Sequence, residues 1–424
     1  MKPRALAAAL LSTLAIGCGI TDLPNEGQVG PGGKGDNAWV SGETYEVDGT
    51  LTATLARKAR GSYAKLANDL VLQEKLVDTQ LKFAKNAMKA RGYHVNQLAE
   101  SVKIDKVVEA DGRVTITYTA AIDLTASTGW FSKTLREFTV PLPLDPTDVK
   151  SRVGSKCADK LGPYSLHEYN YYYYFYPDQP DCDLELHQAT LKTTKIHKQE
   201  KAYPEYDKLM TDLGDGKVGF KAAVLPGVAH DVVKGRLEDE LGLTAEDVDG
   251  RFKRYRLQGE GNVEIVIDFY PNEYSFKKTL ASYQLVYYHG HSSYGTQPFF
   301  NDTSKFTKGF YQIIAMSSCR SYSYYTRLIM KAKATADDPK GWKHTDVIAN
   351  INSGWVGDSS ATLKPILRKL LAGIAAIKAG RSNNAPDWLT IVKAMDSADD
   401  YPMHGAAGVR ENTWKPTAQD PEQP

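Results

Sequence analysis

The chain has 424 residues, enough for two or three domains with full cores. Its 52 basic and 51 acidic residues leave a formal net charge of +1, which removes any electrostatic argument for a nucleic-acid partner. Nine histidines are scattered and no Cys/His cluster has zinc spacing, so neither a metal nor a cofactor is expected.

Lys2 and Arg4 precede an Ala/Leu-rich apolar run over 5–16, which ends at Gly17 and Cys18. The run is short for a membrane span and has the layout of a signal-peptide core. Leu14-Ala15-Ile16-Gly17-Cys18 resembles a bacterial lipobox, with Ala15 where leucine is usual. The resemblance implies a signal over 1–18 and acylation of Cys18. The exported chain would then be held by lipid in a bacterial cell envelope, at the outer membrane or the periplasmic face. An ordinary cleaved signal with an incidental cysteine is the other reading. Residues 19–45 are Gly/Pro-rich at their start and read as a flexible tether.

Residues 46–200 read as an α+β domain. From 51 to 92 apolar residues recur at helical spacing (Leu66, Leu70, Leu76, Leu81, Ala84, Met88), with Gly61 dividing two helices and Gly92 as C-cap. Stretches 103–109 and 113–120 flank Ala110-Asp111-Gly112, a hairpin turn. The proline-interrupted stretch 138–144 suggests an edge strand. The tyrosine-rich stretch 169–176 reads as a strand, or as an aromatic surface for a partner or glycan, with 191–196 as its pairing strand. Cys157 and Cys182 bracket it and are expected to form a disulfide, a loop closure worth roughly 3 kcal/mol. With Cys18 acylated, Cys319 is the odd cysteine and a reactive candidate. Lys198 and Lys201 mark either an exposed processing site or simply a solvated linker.

Residues 204–400 alternate in type. Strands are expected over 217–225, 263–269, 283–288, 310–316 and 345–351; helices over 232–241, 272–280, 322–333 and 361–379. This order predicts a mostly parallel sheet with helices on both faces, preceded by the α+β domain and followed by a polar tail over 401–424. The third strand breaks into His289-Gly290-His291-Ser292-Ser293, and the fourth into Ser317-Ser318-Cys319-Arg320-Ser321. Open α/β sheets process ligands at the carboxyl ends of their strands. Imidazole and thiol delivered there by neighbouring strands make a nucleophile and its base.

This order resembles the clan CD cysteine peptidases, the caspase–haemoglobinase fold of caspases, legumains, gingipains and clostripain. In that family the histidine follows the third strand and the cysteine the fourth. Tyr288-His289-Gly290-His291-Ser292-Ser293 is similar to the gingipain Tyr-x-Gly-His-Gly-Ser segment. Ser318-Cys319-Arg320-Ser321-Tyr322-Ser323 is similar to the legumain Ala-Cys-Glu-Ser-Gly-Ser segment. The likeness covers roughly 204–388. It implies a cysteine endopeptidase acting on protein or peptide through a Cys319–His291 dyad. Its oxyanion would be held by the N–H groups of Cys319 and of the residue after the histidine. Aligned on Gly-His, that residue is Ser292 in place of the family's glycine; aligned on His-Gly, the histidine is His289 and the donor Gly290. The loop after the fifth strand contributes to the substrate pocket in gingipain-like enzymes. That makes Trp355 a candidate wall and Asp358 a candidate anchor for a basic side chain, beside plainer roles in packing and capping. Papain-like and transglutaminase-like enzymes place cysteine before histidine, the reverse of the order here. Two rivals remain: a binding protein of the same fold without catalysis, and a metal site built on His289 and His291.

Overall fold

The computed structural model describes residues 44–89, 93–97, 102–127, 135–148, 157, 175–198, 201–272, 279–295, 297, 300, 302–351, 358–399 and 404–417. The expected signal, the tether up to residue 43 and the lipidation site at Cys18 lie outside these, as do most of the tyrosine-rich segment, Gln199, Glu200 and Trp355; Thr44 and Tyr45, expected in the tether, begin a strand. The chain is a mixed α/β protein with two sheets.

The first sheet is antiparallel. Its strands are β1 (Thr44–Lys58), β2 (Tyr93–Gln97), β3 (Val102–Ala110), β4 (Arg113–Ser127), β5 (Glu137–Pro143) and β6 (Leu186–Lys198), with helix α1 (Leu70–Lys89) between β1 and β2. The order is β2-β4-β1-β6-β5, with β3 also paired to β4. The helix expected to begin near 51 is instead a strand. Leu51, Ala53 and Leu55 are buried while Thr52 is exposed and Thr54 half-buried, a period of two that a helix cannot produce. Helical burial starts later, with Leu76, Leu81, Ala84 and Met88 packed against the sheet. The Asp111-Gly112 turn forms with φ of 51° and 67°, the left-handed pair that a two-residue hairpin needs. Cys157 and Cys182 are disulfide-bonded. Residues 191–196 belong to β6, which pairs with β1 and β5; most of the tyrosine-rich stretch expected beside it lies outside the described residues.

The second sheet carries β7 (Thr211–Gly214), β8 (Lys217–Leu225), β9 (Glu246–Val248), β10 (Phe252–Gly259), β11 (Val263–Phe269), β12 (Leu285–His289), β13 (Gln312–Ser317), β14 (Thr345–Asn350) and β15 (His404–Ala407). Its order is β15-β14-β13-β12-β8-β11-β10-β9, with β7 paired to β8. The run from β14 to β11 is parallel. These strands are apolar and almost wholly buried, as strands covered on both faces must be. One face is covered by α2 (His230–Gly235), which continues as a π turn to Glu240, and by α4 (Leu363–Lys378) and α5 (Trp388–Asp396). The other is covered by α3 (Ser321–Lys333). The helix expected over 272–280 falls largely outside the described residues.

The second sheet also departs from the sequence expectation. Strand β10 forms a hairpin with β11; only Tyr255 and Leu257 face inward, and the charged residues between them mask the pattern. The stretch expected as a polar tail enters the fold: β15 closes the sheet edge against β14. Beyond it, the backbone N–H groups of Thr413 and Trp414 donate to the Glu205 carboxylate. No helix among the described residues is long and apolar enough to cross a membrane.

At the amino end of β14, the Oδ2 of wholly buried Asp346 accepts from Tyr311 Oη (2.6 Å), Trp388 Nε1 (2.8 Å) and Asn412 Nδ2 (2.8 Å). Burial outweighs these bonds and pushes its carboxyl up to about 7. The native state therefore binds a proton that the unfolded chain has released, so this contribution is full below the unfolded carboxylate value of 3.8 and fades as pH rises to about 7. Urea unfolding should give a midpoint that falls between pH 5 and pH 7, and Asp346→Asn should flatten that fall. An unchanged pH slope in the variant would contradict the assignment.

Candidate active site

The site is set by one register. Strands β12 and β13 run parallel with His289 opposite Ser317, the last pair of the ladder. Neighbouring strands lie about 4.8 Å apart. His291 and Cys319 each follow that pair by two residues, so the two chains leave the sheet side by side and carry imidazole and sulfur off the same edge.

Cys319 is buried, on a turn closed by the Ser321 N–H donating to Ser318 O (3.1 Å). Arg320 follows with φ of 50° and caps α3. The Ser321 hydroxyl donates to Met316 O (3.1 Å) and accepts from Asn350 N (3.2 Å), which ties the first residue of α3 to the ends of β13 and β14. The sulfur therefore sits just before the N-terminus of a 13-residue helix, where the helix dipole favours a thiolate.

The two histidines differ. His289 ends β12 and is wholly buried; strand alternation puts it on the side of Leu285 and Tyr287, facing α4 and α5. His291 lies past the strand and is half-buried, and burial holds its imidazole below the usual histidine value. It is neutral at pH 7 and able to take a proton from a thiol. Gly290 and Ser292 are both buried. Ser292 is not left-handed, so serine costs no backbone strain there; the strained residue is Ser293, with φ of 46°. The described part of the fifth-strand loop is a 3-10 turn, Asp358–Thr362, which starts at Asp358 and leads into α4. Among the described residues no group of side chains could hold a metal ion.

Two tyrosines and a glutamine fix the histidine loop. Tyr288 Oη donates to His291 O (2.6 Å) and accepts from Gln297 Nε2 (2.9 Å), which also donates to His291 O (3.0 Å). Tyr325, on α3, donates from its hydroxyl to Ser292 O and accepts from Gln297 N (3.0 Å). The Tyr324 ring packs on Gly295. The helix that starts behind Cys319 thereby holds the loop that carries His291. From the opposite side, Gly227 (φ 51°) lies against the end of β12: a Cβ there would stand 2.4 Å from His289 O. None of these contacts was foreseen from the sequence, where Gln297 and Tyr325 stand in no motif.

Backbone strain points to the same place. Among the described residues six that are not glycine have left-handed φ. Four are Asp111, Asp215, Asp249 and Asn262, whose short side chains suit turns. The other two, Ser293 and Arg320, flank the site, at a cost of about 1–2 kcal/mol each.

No protein-family model, no curated protein and no solved structure matches the chain.

Tyr325→Phe removes the acceptor of the buried Gln297 N–H and should lower stability by about 1–3 kcal/mol in urea unfolding. It should also speed hydrogen exchange at the Gln297 amide. Unchanged exchange there would show that the brace does not hold the loop. Gly227→Ala, strained in φ and pressed on His289 O, should cost at least about 1 kcal/mol. A variant as stable as the parent would contradict the close approach.

Proposed function

We propose that the chain is a cysteine endopeptidase of the caspase–haemoglobinase kind, exported and lipid-anchored through Cys18, with Cys319 as nucleophile and His291 as its acid–base partner. The observation that carries the reading is the shared two-residue offset of His291 and Cys319 past the β12–β13 register pair. Counted from β8 along the parallel strands, the histidine follows the third and the cysteine the fourth, the arrangement that the family resemblance implies. Burial of His289 within the sheet favours His291 as the partner.

The attacking species is the Cys319 thiolate. His291 takes the thiol proton, and the sulfur adds to the carbonyl carbon of the scissile bond. The N–H groups of Cys319 and Ser292 hold the oxyanion. Collapse breaks the C–N bond as the imidazolium returns its proton to the departing amine, leaving a thioester. A water molecule then gives a proton to His291, adds to the thioester and releases the acid and the thiolate. Asp358 and Trp355 belong to the pocket for the residue before the cut.

A lipid-tethered binding protein of the same fold is the second reading, favoured by Ser292 in place of glycine. The two separate in one assay. With dithiothreitol present to keep Cys319 reduced, the mature chain should cleave an internally quenched peptide. Cys319→Ala and His291→Ala should each lower kcat/KM by roughly a thousandfold or more, and His289→Ala by less. Turnover surviving in Cys319→Ala would end the peptidase reading.

A further inference from the structure

Helix α3 joins the two halves of the candidate site. It starts behind Cys319, and its Tyr325 and Tyr324 hold the loop that carries His291. Its inner face, with Tyr322, Tyr325, Thr326, Ile329 and Met330, is buried on the sheet. The opposite face, at helical spacing, carries Ser323, Tyr324, Arg327, Leu328 and Lys331. A helix that covers a sheet ordinarily leaves such a face to solvent. Here Lys331 is exposed, but the other four are only partly so.

The cover comes from the other sheet. Strand β2, at the edge of the first sheet, lies against α3. The register shows what brings it there. Lys198, where the chain leaves β6, pairs with Tyr45; Tyr45 pairs with Ala126, and Ala126 with Tyr93, the first residue of β2. One row of the sheet thus carries both the chain's exit and β2, three strand spacings or about 14 Å apart. Only Gln199 and Glu200 separate Lys198 from Lys201, a reach of about 11 Å at most. Ala202 already belongs to the second domain, where its carbonyl accepts from Trp388 N (2.8 Å). So short a link keeps β2 at high effective concentration beside α3, and docking there costs little entropy. The covered face looks away from the sheet, so a domain seated on it presses the helix inward without entering the gap between sulfur and imidazole.

We infer that the first domain is a built-in activator: docked on α3 through β2, it holds the helix, and through it the histidine loop, in the geometry that the reaction needs. The catalytic consequence rests on the peptidase reading; the docking does not. Arg327, in the middle of the covered face, is a positioning residue in this arrangement.

The test uses the full mature chain and reads amide hydrogen exchange beside cleavage of the quenched peptide. Arg327→Glu reverses a charge on the covered face. It should speed exchange across 93–97 and at Gln297 by about tenfold. It should also lower kcat by about a hundredfold with KM little changed, the signature of misplaced reacting groups. Arg327→Lys should keep both near wild type. Lys331→Glu, the same reversal on the exposed part of the helix, should alter neither. Should Arg327→Glu fail to fold, Arg327→Ala reads the same quantities without reversing the charge. Unchanged exchange at 93–97 would overturn the docking. Faster exchange there with kcat unchanged or raised would overturn the activation and leave the peptidase reading intact. A wild-type chain that cleaves nothing would end the peptidase reading and the activation together, while exchange at 93–97 and Gln297 would still decide the docking.

Discussion

The pairing of two short parallel strands is the constraint on which everything else depends. Placing His289 opposite Ser317 puts the two following segments in step, so His291 and Cys319 leave the sheet together. Side chains alternate along a strand, and a slip of one residue would turn each of these to the other face. The register is guarded from both faces. Tyr287, on the α4 side, shares its hydroxyl with Ser317 Oγ (3.2 Å) and Thr362 Oγ1 (3.0 Å), while Tyr288, on the α3 side, donates to His291 O. Strand, loop and helix are thus joined by buried hydroxyls rather than by apolar contact alone. A buried polar group left without its partner costs about 1–3 kcal/mol, so the correct pairing is favoured over near alternatives.

The two left-handed residues show how the chain meets the demand. Ser293 lets the histidine loop turn down onto α3, and Arg320 lets the chain pass from β13 into that helix within one turn. Both conformations are unfavourable for such side chains, and both persist because surrounding hydrogen bonds fix them: Ser321 behind the cysteine, Tyr325 and Gln297 behind the histidine. Strain held in this way at one edge of an otherwise regular sheet is characteristic of sites that present a reactive group.

Much of the second sheet was legible in the sequence because parallel strands are continuous apolar runs with abrupt ends. The stretches at 217, 263, 283, 310 and 345 all become strands, and their order places histidine before cysteine. What alternates with charge was harder to see. Strand β10 hides Tyr255 and Leu257 among Lys253, Arg254 and Arg256, and β1 hides its period of two behind leucines that also fit a helix. The last strand was missed for another reason: His404-Gly405-Ala406-Ala407 is too short and too weakly apolar to announce itself. Of the candidate site, His291 and Cys319 were visible as motif ends, but the brace was not. Tyr325 reaches Ser292 across 33 residues of sequence and Gly227 approaches His289 from the loop after β8, contacts that only the folded chain creates.

The central claim is that His291 acts on the sulfur of Cys319. The most direct measurement is the rate at which iodoacetamide alkylates Cys319 at neutral pH in the reduced chain, followed by mass mapping of its peptide, in the wild type and in His291→Ala. Because the thiolate is the reacting species, a neighbouring base should make the wild type faster by about tenfold or more. Equal rates in the two proteins would contradict the account.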